Sequence, residues 1–413
     1  MSKALETISI GTGSDQKCPR LLGVFAAWRL QAYGYTLAAV YAGFFIYIYC
    51  AGLWLVNNGG VPVYRDFTNL FVAGLQALRG DTASIYSPAE FLKVQDALVG
   101  AGHAVFSTWP YPPTYFLILA PLALLPYVAA FLTYEVGTLL GFIAVVCLIV
   151  RRRPAIALVL ASPFTAWNFL FGQSGFLTAS LLGASLLALE RRPVLAGVFI
   201  GCLTYKPQLG ILLPVALVAA NQWRAFVSAA ITAVLLAGVS VAAFGADAWA
   251  AFPRELFAEA GETLFVDPDD PWGYLQTVYG LIRALHGGAA LAWFSQGTAT
   301  LAVTMIVWLV WRSPTRYSLK AATLSTAALI ATPRLFAYDI AAIAIPLAFL
   351  AKDQRHCGVL MGEQTIMLAL FVAGLSIIPT AGRAPVGALV LIALLCLILR
   401  RVLHRGEPLA VTA

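Results

Sequence analysis

Three places in the sequence put ionisable side chains where an apolar chain has little reason to keep them. Tyr64-Arg65-Asp66-Phe67 carries a carboxylate at the start of an amphipathic stretch. Thr204-Tyr205-Lys206-Pro207-Gln208 sets a lysine between two short apolar runs. Thr332-Pro333-Arg334-Leu335-Phe336-Ala337-Tyr338-Asp339 sets an arginine and a carboxylate five residues apart between two more. A positioned carboxylate can take a proton from a hydroxyl. Arg offers a two-pronged fork to phosphate and Lys a point charge. Cations at membrane depth are costly and are functional candidates by default. Each residue also has a plainer reading. Asp66 could cap the helix that follows it, Lys206 could snorkel to an interface, and Arg334 with Asp339 could form a structural pair.

Other motifs read as geometry. The prolines of Trp109-Pro110-Tyr111-Pro112-Pro113 block regular helix and set an extended turn. Its aromatics would sit at an interface belt or line a groove. Gly172-Gln173-Ser174-Gly175 reads as a tight turn between apolar runs. Asp267-Pro268-Asp269-Asp270 could serve a hard cation, but turn chemistry explains it more simply. The six cysteines are scattered and form no C-x-x-C pair, and the four histidines lie far apart. No metal site and no cofactor is therefore expected.

The elements that hold these residues must be membrane helices. Of 413 residues, 61% are apolar and 11% charged, less than half the ~25% charge usual for soluble domains. The expected fold is an all-α polytopic bundle of about 12 transmembrane helices in one domain, residues 31–400. Tails at 1–30 and 401–413 would be cytoplasmic. Long polar loops at 57–112 and 245–288 would both be extracytoplasmic, since that arrangement leaves most Lys and Arg inside. In the first loop Leu70, Phe71, Leu75 and Leu78 suggest a helix lying on the membrane surface. Several runs, such as 321–332, are too short for a ~30 Å hydrocarbon core at about 1.5 Å per residue. Broken helices of this kind suit an internal cavity around Lys206 and Arg334. The formal charge of +7 suits cytoplasmic loops, and no basic-aromatic face suggests nucleic acid.

In order and spacing these motifs resemble the polytopic glycosyltransferases of the GT-C class, most of all glycosyltransferase family 87. The resemblance rests on Arg65-Asp66-Phe67, Gly80, Ile85-Tyr86, Tyr111-Pro112-Pro113, Pro121, Gly172-Gln173, Ala196-Gly197, Gly201, Lys206-Pro207, Pro333 and Tyr338-Asp339. Where relatives commonly carry histidine after the late proline, this chain has Arg334. The resemblance implies an outward-facing enzyme of a bacterial plasma membrane. Its donor would be a polyprenyl-phosphate sugar, typically mannose, and its acceptor a lipid- or glycan-linked hydroxyl. The acid of the first outer loop, Asp66 here, would be the base. Lys206 and Arg334 would hold the donor phosphate. Arg65, Tyr86, Tyr111, Gln173, Tyr338 and Asp339 would line the pocket. Inversion is expected, because a phosphate leaving group needs little acid help and no second carboxylate. A secondary transporter would also show broken helices and buried charge, but no internal repeat is visible. A lipid-binding protein of the same fold without catalysis is the third reading.

Overall fold

The computed structural model describes residues 27–102, 109–152, 154–261, 274–377, 380 and 384–404. The tails beyond 27 and 404 and the acidic run Asp267–Asp270 lie outside them. The described residues form helices and short turns, with no strand beyond isolated bridges.

Five of the described helices are long and apolar enough to cross a membrane. They are α1 (Ala27–Cys50), α5 (Tyr127–Val150), α12 (Trp223–Phe244), α15 (Ala289–Arg312) and α19 (Val386–Leu403). The expected dozen spans therefore resolves into five full-length helices and a set of shorter ones. Proline explains much of the shortening. It favours the first helical turn and is disfavoured in the interior. Pro163 splits the run 154–171 into α6 (Pro154–Ala161) and α7 (Pro163–Phe171). Lys206-Pro207 likewise divides α9 (Pro193–Cys202) from α10 (Pro207–Gly210) and α11 (Leu213–Ala219).

The burial pattern is that of a bundle in lipid. Val227, Ile231, Val234, Leu235 and Val239 expose one stripe of α12, and Leu301, Met305 and Leu309 do so on α15. Such continuous apolar exposure would be an aggregation liability in water. At the centre stands α16 (Tyr317–Ala331), buried from Ala321 to Ala331. Five of those residues are alanine and three are Ser or Thr, which lets neighbouring backbones come close. It packs against α15, α17 (Ala344–Cys357) and α19.

The first loop folds inward. Its main helix, α2 (Asp66–Arg79), packs on α4 (Phe116–Leu122). Phe67, Leu70, Phe71 and Ala73 are buried, while Leu78 is exposed. Gly74 permits the approach, since a Cβ there would stand 2.4 Å from the Leu119 carbonyl oxygen. Trp109, Tyr111 and Tyr115 are buried too. Trp109 and Tyr111, expected at an interface belt or lining a groove, form with Tyr115, Phe67, Phe131 and Tyr134 a core that seats α2 against α5. The second loop supplies α13 (Asp247–Gly261) and α14 (Val278–Ala284), and Gln276 donates its N–H to the Leu335 carbonyl at 2.7 Å.

Candidate active site

Asp66 is the first residue of α2, and Arg65 takes the cap position in extended backbone. The reading of Asp66 as the cap is therefore corrected by one residue. Thr68 Oγ1 accepts the Arg65 N–H at 3.1 Å, and the Asp66 carboxylate is turned to a different partner. Gln173 Nε2 donates to Asp66 Oδ2 at 3.3 Å. Tyr111 donates its hydroxyl to Gln173 Oε1 at 3.3 Å, and Tyr86 donates to the Tyr111 carbonyl at 2.8 Å. Tyr111 and Gln173, both expected in the pocket, thus form a relay that ends on the expected base, and Tyr86 braces the Tyr111 backbone.

The electrostatics fix the direction of that relay. Burial, with the Asp339 carboxylate nearby, holds the Tyr111 hydroxyl well above the usual phenol range, so it stays protonated and donates. Gln173 must then turn its carbonyl to Tyr111 and its NH₂ to Asp66. Burial also pushes Asp66 from 3.8 to about 6, against the Gln173 hydrogen bond and the Arg65 charge, which lower it. A carboxyl poised there is mostly ionised at neutral pH yet basic enough to accept a proton. Asp66 Oδ1 has no hydrogen-bond partner among the described residues.

Behind the relay is a buried ion pair. Lys206 Nζ lies 2.5 Å from Asp339 Oδ1, with the lysine side chain 3% exposed and the aspartate 0%. Ser174 Oγ is 3.4 Å from the same nitrogen. The ammonium also faces the rings of Tyr111 and Tyr338, at 5.9 and 5.4 Å from their centroids. Asp339 Oδ2 accepts the Phe336 N–H at 3.3 Å, closing the turn that starts the 3-10 segment Ala337–Ile343. Lys206 therefore does not snorkel. Its cost of burial is offset by a close carboxylate and two aromatic faces.

Two other expected residues are held by contacts of their own. The Arg65 guanidinium donates to the Tyr64 and Leu53 carbonyls at 3.0 and 3.1 Å, so it braces the preceding loop. Arg334 is half-buried in the turn before Ala337, where its N–H donates to Thr332 Oγ1 at 3.2 Å. The pairing of Leu275 with Phe336 brings the second loop to the same turn.

Sequence reasoning missed the support of Gln173. Gly172 ends α7 with φ +72°, and a Cβ there would stand 2.6 Å from Phe67 Cβ and 2.7 Å from the Phe131 ring. Asn168, fully buried, donates to the Gln173 carbonyl at 3.0 Å and accepts the Gly175 N–H at 3.0 Å. Glu135 Oε2 accepts from the same Asn168 amide at 3.1 Å. Glu135 is a lone carboxyl in an apolar span whose mean composition masks it, and Asn168 is a single amide in a helical run, so neither stood out.

Among the described residues no group of three His, Cys, Asp or Glu side chains converges as a metal site would require. A family model described as glycosyltransferase family 87 matches residues 109–333, more than half of the chain. The matched stretch includes Tyr111, Gln173 and Lys206. No curated protein and no solved structure matches.

Proposed function

The chain belongs to glycosyltransferase family 87, and from that premise we propose that it moves a hexose, mannose, from a polyprenyl-phosphate donor to an acceptor hydroxyl. The acceptor is lipid- or glycan-linked, and transfer takes place at the extracytoplasmic face. The observation that carries this reading is the relay from Tyr111 through Gln173 to Asp66. It holds one carboxylate oxygen and leaves the other for a substrate.

In the proposed reaction Asp66 Oδ1 takes the proton of the acceptor hydroxyl. The acceptor oxygen bonds to the anomeric carbon as the bond from that carbon to the phosphate oxygen breaks. Polyprenyl phosphate leaves with the electron pair. A single displacement inverts the anomeric configuration. The Gln173 amide keeps the carboxylate aimed, and the raised affinity of Asp66 for protons strengthens it as a base. Arg334 and Lys206 stabilise the charge growing on the phosphate. The donor's tail lies between helices, in the bilayer that stores it.

The test uses the purified chain in proteoliposomes with radiolabelled mannosyl polyprenyl phosphate and an extract of acceptor lipids and glycans. The expected product is a mannoside of inverted configuration. Transfer from a nucleotide sugar with none from the lipid-linked donor would overturn the reading.

A further inference from the structure

A second feature lies at the other end of the bundle. The Tyr127 end of α5 reaches the candidate site, where Tyr127 and Thr68 share a hydrogen bond of 3.2 Å. The helix then runs 24 residues to Val150, about 36 Å away. There, a cavity of about 690 Å³ opens between α1, α5, α6, α17 and α18 (Glu363–Ser376). Its wall is almost wholly apolar, built from residues such as Leu37, Phe142, Val146, Leu347 and Phe371. It falls within the ~300–1,000 Å³ typical of sites that enclose a small ligand.

Two arginines stand at its mouth, Arg152 and Arg355, and both line it. Both are exposed, and neither pairs with a carboxylate among the described residues. Arg355 is anchored, donating to the Val150 carbonyl that ends α5. Burial and the neighbouring Arg152 charge hold its guanidinium below the usual pKa. The acids nearby are already engaged, Asp353 by Arg316 and Arg401, and Glu363 by Arg401. An apolar slot capped by two like charges is complementary to an anion with a hydrocarbon tail. The Lys and Arg distribution reads this end as cytoplasmic, where anionic phospholipids concentrate and where basic pockets between helices bind their headgroups.

We propose that this cavity is a binding site for an anionic glycerophospholipid of the inner leaflet, its acyl chain in the slot and its phosphate on Arg152 and Arg355. The site is separate from the donor site and stands whether or not the transfer reaction is as described above. Its role is to fill the gap between α1 and α17.

Native mass spectrometry of the full chain, with phosphatidylglycerol and phosphatidylcholine of identical acyl chains, tests it. Two arginines at a membrane surface predict about a thirty-fold preference for phosphatidylglycerol, roughly 2 kcal/mol. Arg152→Gln/Arg355→Gln abolishes the preference. Arg191→Gln/Arg192→Gln, in the exposed turn before α9, keeps it. Gly374→Leu fills the slot and weakens both lipids; a Cβ at Gly374 meets only the Phe164 ring, at 3.5 Å. Equal binding of both lipids, a preference that survives the Arg152/Arg355 substitutions, or one lost equally in the control would overturn the proposal. Selection of polyprenyl phosphate over phosphatidylglycerol would overturn the assignment to a glycerophospholipid.

Discussion

The Lys206–Asp339 pair gives a prediction that can be worked from geometry. Both side chains are buried, 2.5 Å apart. Removing one partner leaves the other charge uncompensated, which costs about 3–5 kcal/mol, whereas replacing both with apolar or neutral groups of similar volume is often close to neutral. Lys206→Met should therefore destabilise strongly. Asp339→Asn should do so as well, although its amide oxygen can still accept the Phe336 N–H. The double variant should recover most of the loss, with a coupling of about 3 kcal/mol. The assay is thermal unfolding of the three variants and the parent in one detergent, followed through tryptophan fluorescence. The same samples are then tested for donor use. The recovered double variant should still transfer sugar poorly, because the field behind Tyr111 and Tyr338 is gone. Singles that unfold at the parent temperature, or effects that simply add, would refute the reasoning that the pair is a coupled unit.

Three other outcomes follow from the same site. Gly172→Ala combines a backbone angle of +72° with two sub-contact approaches, to Phe67 and Phe131. It should cost about 1–3 kcal/mol and reduce turnover by displacing Gln173, read by unfolding and by transfer rate. Asn168→Ala removes the hydrogen bonds to Glu135, Gln173 and Gly175. It should lower the transfer rate with little change in donor affinity, and an unchanged rate in folded protein would contradict it. Asp66→Asn should stabilise the chain at alkaline pH. Burial raises the carboxyl from 3.8 to about 6, so the folded state holds its proton more tightly than the unfolded state does. Stability is therefore full below 3.8 and falls as pH climbs to about 6. The loss is at most about 3 kcal/mol, lowered by solvent at this partly exposed group. The gain from Asn should appear above pH 6 and vanish near pH 4, as read from unfolding midpoints across pH.

What the sequence revealed, and what it hid, follows the range of the interactions. Tyr111, Gln173, Lys206 and Asp339 stood out because polar or turn-forming residues interrupt apolar runs there. The prolines that shorten helices are local signals and were legible. The partner of Lys206 was not, because Asp339 lies 133 residues away in sequence and only the packing of α16, α17 and the 3-10 segment brings them together. Where α2 docks was hidden for a related reason. Its apolar face was read in Leu70 and Phe71, but helical spacing cannot say whether that face meets lipid or α4. Asn168 and Glu135 were hidden inside stretches whose mean composition fits a span. Asp66 was seen but placed one residue too early, and that residue separates a cap from a carboxylate held by Gln173.

The central claim is that Asp66 accepts the acceptor proton. The most direct measurement compares single-turnover sugar transfer by the parent and by Asp66→Asn, with donor binding measured in the same preparations. The account predicts a loss of about 10²–10⁴-fold in rate with donor binding kept, and a parent rate that falls on acidification through about pH 6. Transfer near the parent rate by a folded Asp66→Asn chain would contradict it.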